Sequence, residues 1–287
     1  MSISGFGGAR RPKTLILDLY GRYAAQVHGW IAVSNVVALM GLLGVDEQAV
    51  RSAVSRMTRR GLLRPDIRDG VRGYATTSEA DELFADGDRH IYTSVEPARL
   101  EDGWTVLSFS MPEAERDKRH VLRSKLMWLG MGNLSSGLWI GPRRILPDAV
   151  AVVKALRFEE FVDVFSASYE GMGNVAELVR RSWDLPELSA LYSEFVAQHR
   201  PRLDQLRRSR RPIEPERAFV VYTLALHEWR KFPYLDPGLP VELLPQPWPG
   251  RVAATIFHEL RSRLEETAFD FVATVVGPAH RHASGGA

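Results

Sequence analysis

Short stretches with apolar residues three and four positions apart run up to about Tyr92, and this spacing predicts helices. The pattern changes at Trp104, where a run of apolar residues is typical of a buried strand. The elements predicted from there are a strand at Trp104 to Phe109, a helix at Glu113 to Leu129, a strand-like hairpin region at Leu134 to Ile140, a helix at Pro147 to Arg157 and a strand at Phe161 to Ala167. The order strand, helix, hairpin, helix, strand predicts a ferredoxin-like unit.

Within the helix predicted at Glu113 to Leu129, the spacing places four apolar side chains on one face: Val121, Leu122, Leu126 and Leu129. Helical spacing returns towards the C-terminus in three segments: Pro186 to Leu206, Glu214 to Lys231 and Gly250 to Val276. Between the last two lie six prolines from Pro233 to Pro249, and so many fixed backbone angles exclude a regular element there. We expect an ordered loop, because its Tyr, Leu and Trp residues need burial.

These patterns predict an α+β protein of three domains between two flexible ends. The predicted boundaries are a flexible N-terminus at 1–12, a winged-helix DNA-binding domain at 13–95, a ferredoxin-like middle domain at 100–172, a helical C-terminal domain at 173–279 and a flexible tail at 280–287. Thr93 to Asp102 has little periodicity and is predicted to be a linker.

The most informative segment is Leu39 to Thr77, which predicts a helix-turn-helix. Gly44 allows a tight turn, Asp46 can cap the next helix, and Gly61 can end it. The predicted buried face of that helix consists of Val50, Ala53, Val54 and Met57. On its other side stand the small or basic polar residues Arg51, Ser52, Ser55, Arg56 and Arg59, with Gln48 at the start of the helix.

A hairpin is predicted directly after this helix. Leu62 to Arg64 and Val71 to Thr76 can pair around a turn containing Asp69-Gly70, a preferred two-residue hairpin sequence. Helix and hairpin together indicate a winged helix, with Arg68 and Arg72 near the tip of the wing. From Gln48 to Arg72 there are seven arginines and two aspartates, a local charge of +5.

Two other interpretations of this segment stay open. A helix with an arginine-rich outer face is often only a solvated surface, and some winged helices bind proteins rather than DNA. The capped helix, the short turn, the hairpin and the concentrated charge together favour DNA.

Composition limits the remaining possibilities. The 37 basic and 35 acidic residues leave a formal charge of +2, so a nucleic-acid surface has to be local. The absence of cysteine excludes disulfides, thiolate zinc sites and cysteine nucleophiles. With no signal-peptide pattern and no apolar stretch of about 20 residues, we expect a cytoplasmic protein that does not enter a membrane.

No catalytic or metal site is expected from the motifs. His258-Glu259 and His227-Glu228 each begin like a metalloprotease motif, but the second histidine is missing in both. The chain is therefore not expected to be an enzyme, and no cofactor is expected.

Three segments of the chain resemble the PaaX family, the phenylacetic acid degradation repressor and its relatives. Arg10 to Tyr23 and Leu42 to Leu63 resemble the family's winged-helix segment, and Asp102 to Arg143 resembles its middle domain. The proline-rich signature HEWRKFPYLDPGLPVELLPQPWPG, His227 to Gly250, is the most specific of the three likenesses. Met57 and Leu62 stand where the family has Leu and Trp, and both exchanges keep the position apolar.

The resemblance implies a bacterial transcriptional repressor that binds palindromic double-stranded operator DNA as a homodimer. In the type member the repressor is released by an aryl-CoA thioester, phenylacetyl-CoA. Such an effector combines phosphate charges with an apolar acyl group, so cations next to aromatic side chains would suit it. The residues predicted to bind it are Trp229, Arg230, Lys231, Tyr234 and Trp248; simple packing of these aromatics is the alternative.

The family's middle domain also resembles a CRISPR-associated endoribonuclease of ferredoxin-like fold, which implies a metal-dependent nuclease as the alternative function. Those nucleases carry a metal-binding aspartate at the end of the first strand, two residues before a proline. The matching residue here is Ser110, and a hydroxyl is a poor magnesium ligand. This difference disfavours the nuclease.

Overall fold

The computed structural model describes residues 12–92, 97–171 and 173–277. The flexible ends predicted at 1–12 and 280–287 lie outside the described residues, except for Pro12, which begins the first helix. The predicted linker is described only from residue 97 onwards, and it closes with a short 3-10 turn, Leu100–Asp102.

Helices and strands follow one another in three stretches of the described chain. The first contains α1 Pro12–Tyr23, β1 Trp30–Ala32, α2 Val33–Leu42, α3 Glu47–Arg59, β2 Leu63–Arg68, β3 Val71–Thr76 and α4 Ser78–Tyr92. The second contains β4 Trp104–Phe109, α5 Arg116–Trp128, β5 Gly132–Ser135, β6 Leu138–Pro142, α6 Leu146–Leu156 and β7 Val162–Ala167. The third contains α7 Val175–Ser182, α8 Leu185–Arg208, α9 Pro215–Trp229, α10 Phe232–Leu235 and α11 Gly250–Val276. The fold is α+β, as the sequence predicts.

These elements form two compact units. Among the described residues, the middle unit comprises 97–193 and 231–250, and the terminal unit comprises 12–92, 194–230 and 251–277. The terminal unit thus joins the N-terminal stretch to helices from the C-terminal part of the chain. None of the helices in the described residues is both long enough and apolar enough to cross a membrane.

The middle unit is built on a four-stranded antiparallel sheet with strand order β5-β6-β4-β7. Apolar side chains of β4 alternate between its two faces, with Leu107 and Phe109 in one core and Trp104 in the other. Helices α5 and α6 cover the first core, and α7 with part of the proline-rich segment covers the second. Burial on both faces explains why apolar residues occur at both odd and even positions of β4.

Two predictions for this unit are wrong in detail. Leu122 and Leu126 of α5 are buried as predicted, but Val121 is 41% exposed because it lies about 100° around the helix from Leu122. The proline-rich segment is not wholly irregular, since it contains the one-turn helix α10 and a 3-10 turn at Val241–Leu243. Pro233 is compatible with α10 because it lies in the first turn, where no helical hydrogen bond is lost.

The terminal unit contains a three-stranded antiparallel sheet with strand order β1-β3-β2. Trp30 of β1 is buried against Gly73 of β3, where the indole occupies the space that a Cβ atom would need. Only glycine at position 73 allows this close approach.

Helix α1 packs against both α3 and α9 in the terminal unit. Five of its apolar or aromatic residues are at most 1% exposed: Leu15, Ile16, Leu19, Tyr20 and Tyr23. The hydroxyl of Tyr23 is 2.8 Å from the hydroxyl of Thr223 in α9, and both groups are buried.

One carboxylate, Asp18, is buried in the same face of α1. Nδ1 of His227 donates to it over 2.5 Å, and the guanidinium of Arg230 donates to its other oxygen. A buried charge is tolerated only when it is paired and hydrogen-bonded in this way. The pairing therefore fixes α1 against the end of α9.

A second polar cluster joins α1, α4, α9 and α11. Arg22 donates to the Tyr222 hydroxyl over 3.1 Å and to Glu265 over 2.5 Å, and Tyr222 itself donates to Glu265. Arg261 donates to the same carboxylate over 3.0 Å and lies 4.1 Å from the ring centre of Tyr92. Burial raises the pKa of Glu265, but the hydrogen bonds from Tyr222 and Arg22 outweigh it and hold that pKa below its ordinary value.

We expect Gly73→Ala to lower the free energy of unfolding by about 1–3 kcal/mol, because the added methyl group displaces Trp30 from its position. The matched control is Gly41→Ala in α2, where a Cβ atom meets nothing within 4 Å. That change should be neutral or stabilise by up to about 1 kcal/mol, since alanine is the better helix residue. Urea denaturation followed by circular dichroism measures both; equal effects would contradict the Trp30 packing.

We expect Glu265→Gln to cost about 2 kcal/mol at neutral pH, because charge-assisted hydrogen bonds from three groups are weakened. A depressed carboxylate pKa stabilises the fold above the unfolded value of about 4.3, and this contribution disappears as pH falls through the folded pKa. The difference between wild type and variant should therefore be full at pH 7 and shrink below about pH 4. Glu266→Gln, an exposed neighbour, serves as the control and should change stability by less than about 0.5 kcal/mol.

Candidate nucleic-acid interface

The turn between α2 and α3 has the geometry that the sequence predicts. Gly44 adopts a positive φ of 82°, and Asp46 accepts a hydrogen bond from the backbone N–H of Ala49 over 2.8 Å. At the other end of α3, Gly61 also has a positive φ, of 73°. Glycine is favoured at such positions because it has no Cβ atom to clash with the backbone.

Helix α3 has one buried and one exposed face, as its spacing predicts. The buried face consists of Val50, Ala53, Val54 and Met57, all at most 3% exposed. The exposed polar residues are Gln48, Arg51, Ser52, Ser55, Arg56 and Arg59. Since packing uses only the first set, the second set is free to meet a partner.

Two of the exposed arginines are held in place by neighbours one turn earlier. Nε of Arg51 lies 2.7 Å from Glu47, and Nη1 of Arg56 donates to the Ser52 hydroxyl over 2.8 Å. The Arg56 contact orients the guanidinium without neutralising its charge. Such pre-orientation lowers the entropy lost when the side chain binds a partner.

The hairpin after α3 turns at Asp69 and Gly70, which both have positive φ values, of 49° and 76°. Val71 pairs with Arg68, and Ile67 pairs with Arg72. Arg72 is exposed on this hairpin, and so is Ile67, at 56%. Arg72 is therefore exposed and available to a partner.

Arg68 differs from its prediction. Its side chain is only 9% exposed; Nε pairs with Asp66 at 3.1 Å, and the guanidinium lies 5.3 Å from the ring centre of Trp30. The cause is strand alternation, since residues two positions apart share a face of the sheet. Arg68 thus stabilises the hairpin from the side that packs on Trp30, and it does not extend from the tip.

A groove of about 720 Å³ lies between α3 and the hairpin. Arg51 and Arg72 line it on the two sides, and Val50, Ile67 and Tyr74 supply apolar surface. The site thus combines cations with a shallow apolar channel.

Two further cations lie close to α3 and were not singled out from the sequence as contact residues. Lys13 of α1 has a pKa below its ordinary value because it is partly buried and because Arg60 and Arg56 are near. Each of these residues is visibly basic in the sequence. Arg60 directly follows α3 in the chain, whereas Lys13 reaches it through the packing of α1 against α3, which the local pattern does not contain.

The residues predicted to bind an effector are divided between the two units and engaged in packing within each. In the terminal unit, Trp229 stacks on Phe257 with ring centres 4.7 Å apart, and Arg230 pairs with Asp18. The three in the middle unit also contact aromatic rings. Nζ of Lys231 lies 5.2 Å from the ring centre of Phe232. The ring centres of Tyr234 and Trp128 are 4.8 Å apart, and those of Trp248 and Tyr192 are 5.8 Å apart, both in edge-on contact.

Ser110 follows β4, where the alternative function would need an aspartate, and its backbone N–H donates to the carbonyl of Phe161 over 3.0 Å. In the described part of the chain, no three His, Asp or Glu side chains come together in a group that could hold a metal ion.

Three family models match successive parts of the chain. They are described as PaaX-like protein for residues 11–80, PaaX protein central Cas2-like domain for residues 97–179, and PaaX-like protein C-terminal domain for residues 183–274. Among solved structures, the uncharacterized protein Rv0674 from Mycobacterium tuberculosis is similar with a TM-score of 0.53. The match covers 91% of this chain and 98% of that one at 20% identity, so the likeness concerns the fold alone.

Among named proteins, the transcriptional repressor PaaX of Escherichia coli strain K12 is 30% identical over 264 residues. This match covers 90% of the present chain and 82% of the relative. Similarity over nearly the whole length, together with three successive family matches, shows that the chain belongs to the PaaX family.

Proposed function

We propose that this protein is a transcriptional repressor that binds operator DNA through a winged helix, with α3 as the recognition helix and the β2–β3 hairpin as the wing. In this proposal Gln48, Arg51, Ser52, Ser55, Arg56 and Arg59 face the major groove. Arg72 meets the DNA from the wing, whereas Arg68 holds the wing in place.

The observation that carries the proposal is that α3 has a buried apolar face and an exposed basic face. Every apolar residue of its inner face is buried, while the outer face presents three arginines and two serines. Arginine binds guanine edges or phosphate oxygens in bidentate fashion, and serine is small enough to let a helix enter the groove closely. Lys13 and Arg60 add positive charge near the same helix.

The repressor role agrees with the relative from Escherichia coli, the transcriptional repressor PaaX. We also propose three domains: a winged-helix domain at 13–95, a ferredoxin-like domain at 100–172 and a helical domain at 173–279. Strand order β5-β6-β4-β7, with α5 and α6 on one core, supports the ferredoxin-like arrangement. None of the contacts seen in the described residues favours the nuclease alternative.

Two further elements of the proposal come from the family resemblance. The first is a homodimer, which would place two recognition helices on one palindrome and so increase affinity and specificity. The second is release by an acyl-CoA effector such as phenylacetyl-CoA, with Trp229, Arg230, Lys231, Tyr234 and Trp248 as the predicted binding residues. Because these side chains pack within their units, an effector there would have to displace existing contacts.

Substitution of the arginines of α3 tests the DNA interface. Arg56→Ala and Arg59→Ala should each weaken binding to upstream DNA of the protein's own operon. A variant that loses a phosphate contact should lower the salt slope by about one, and one that loses a base contact should cost roughly 1–3 kcal/mol and relax specificity at one base pair. Fluorescence anisotropy at several salt concentrations separates the two effects.

The matched control is Arg180→Ala, an exposed helical arginine beside Glu177, much as Arg51 lies beside Glu47. It should leave DNA affinity unchanged. Unchanged DNA affinity in a variant with Arg51, Arg56 and Arg59 all replaced by alanine would show that α3 is not the recognition helix.

A separate titration tests the homodimer. Titration of a palindrome and of its isolated half-site counts the chains bound, with two expected on the palindrome.

Addition of acyl-CoA tests the proposed release. A ligand that prefers the DNA-free form, with a coupling of 1–3 kcal/mol, should weaken operator binding roughly 5- to 150-fold at saturation. Linkage requires DNA to weaken ligand binding by the same factor, which calorimetry on free and DNA-bound protein measures. Binding of an acyl-CoA with no change in operator affinity would contradict release while leaving DNA binding intact.

A further inference from the structure

Four arginines stand within five residues at the end of α8, in the sequence Arg207-Arg208-Ser209-Arg210-Arg211. All four are exposed, and they belong to the terminal unit. The proposed DNA interface does not use this run, and the proposed effector residues do not include it.

Acidic neighbours compensate only part of this charge. Arg207 donates to Glu259 of α11 over 3.0 Å, and Arg263 donates to the same carboxylate oxygen over 2.9 Å. One carboxylate is thus shared by two guanidinium groups. Within the described residues, Arg208, Arg210 and Arg211 have no ion pair.

Beside this run is a pocket of about 390 Å³ between the α8–α9 turn and α11. Its walls contain the three arginines Arg211, Arg217 and Arg263, together with apolar surface from Leu206 and Leu264. Cations around a partly apolar concavity differ from a flat solvated face, because they converge on a volume that a small molecule can fill.

Several guanidinium donors in the pocket are unused among the described residues. Arg217 bonds only through Nη2, to the neutral side-chain oxygen of Gln205 over 2.6 Å, so its charge is not neutralised there. Arg263 bonds only through Nε, which leaves both terminal nitrogens. Glu214 is the one carboxylate in the pocket lining, against three arginines.

We infer that this pocket binds a small phosphorylated molecule, with Arg211, Arg217 and Arg263 holding the phosphate oxygens and Leu206 and Leu264 contacting the less polar remainder. The planar guanidinium fork matches two oxygens of one phosphate, and three forks around one pocket match a diphosphate or two phosphate groups. This inference holds whether or not the chain binds DNA, because no residue of α3 or the wing takes part.

The position of the pocket links it to the core of the terminal unit. Glu214 precedes the first residue of α9, and Arg217 lies in that helix's first turn. Further along α9, Tyr222 bonds to Arg22 and His227 bonds to Asp18, both in α1. A ligand bound at the start of α9 therefore contacts the helix that holds α1 in place.

Calorimetry on the full chain with pyrophosphate, ADP and coenzyme A, at low salt, tests the inference. We expect measurable binding that weakens as salt increases, because exposed charges are screened. Arg217→Ala and Arg263→Ala should each reduce affinity about 10- to 100-fold, the size of one lost charge-assisted contact. Arg217→Lys should retain part of the affinity, since the charge remains but the fork is lost.

The control is Arg251→Ala, an exposed arginine of the same helix α11 that does not line the pocket, and it should bind all three probes like wild type. Circular dichroism and thermal unfolding confirm that each variant is folded. Absence of binding by every probe, or equal binding by wild type and the Arg217 and Arg263 variants, overturns the inference. If these substitutions instead lower DNA affinity and its salt slope while small probes do not bind, the arginines form a DNA contact and the pocket assignment is wrong.

Discussion

Burial of α1 is the constraint on which the terminal unit depends. Its apolar residues pack against α3 on one side and α9 on another, and its only buried carboxylate, Asp18, is satisfied by His227 and Arg230. Apolar packing tolerates small displacements, whereas a buried carboxylate left without donors costs several kcal/mol. The ion pair therefore selects one placement of α1 against α9, and the buried apolar surface supplies the stability.

This arrangement explains how the two ends of the chain come to share one compact unit. Arg22 of α1 and Glu265 of α11 are joined directly, and Tyr222 bonds to both. A helix that carries the proposed recognition surface thus rests on α1, which in turn rests on helices of the C-terminal region. Packed interiors contain few voids, so α3 is connected to the C-terminal helices by continuous packing through α1.

The proposed wing is held by a different device. Trp30 fills the space above Gly73, and Arg68 covers the indole while pairing with Asp66. The hairpin is therefore held on one face from its middle to its turn, and the exposed residues Ile67 and Arg72 lie between these anchored positions. A rigid wing loses less conformational entropy on binding than a free loop would.

The sequence alone was enough to predict those elements that depend only on residues close together in the chain. Helix α3, its cap at Asp46 and its buried face follow from spacing and from the chemistry of single residues, and the Asp69-Gly70 turn follows from the demand for positive φ. Strand β4 could be predicted as a buried strand because four of its six residues are apolar. The same signals gave the exposed polar row of α3, since whatever is not needed for packing faces outward.

Tertiary structure alone decided which distant residues meet. Arg68 is basic and lies near a turn, which predicts exposure; its burial depends on Trp30, which comes 38 positions earlier. Trp229 and Arg230 are adjacent in sequence, but their partners, Phe257 and Asp18, lie far away along the chain and could not be read from the local pattern. Lys13 joins the cations beside α3 only because α1 packs there. Periodicity encodes which face of an element is apolar, and the partner of that face is set by long-range packing that no local pattern contains.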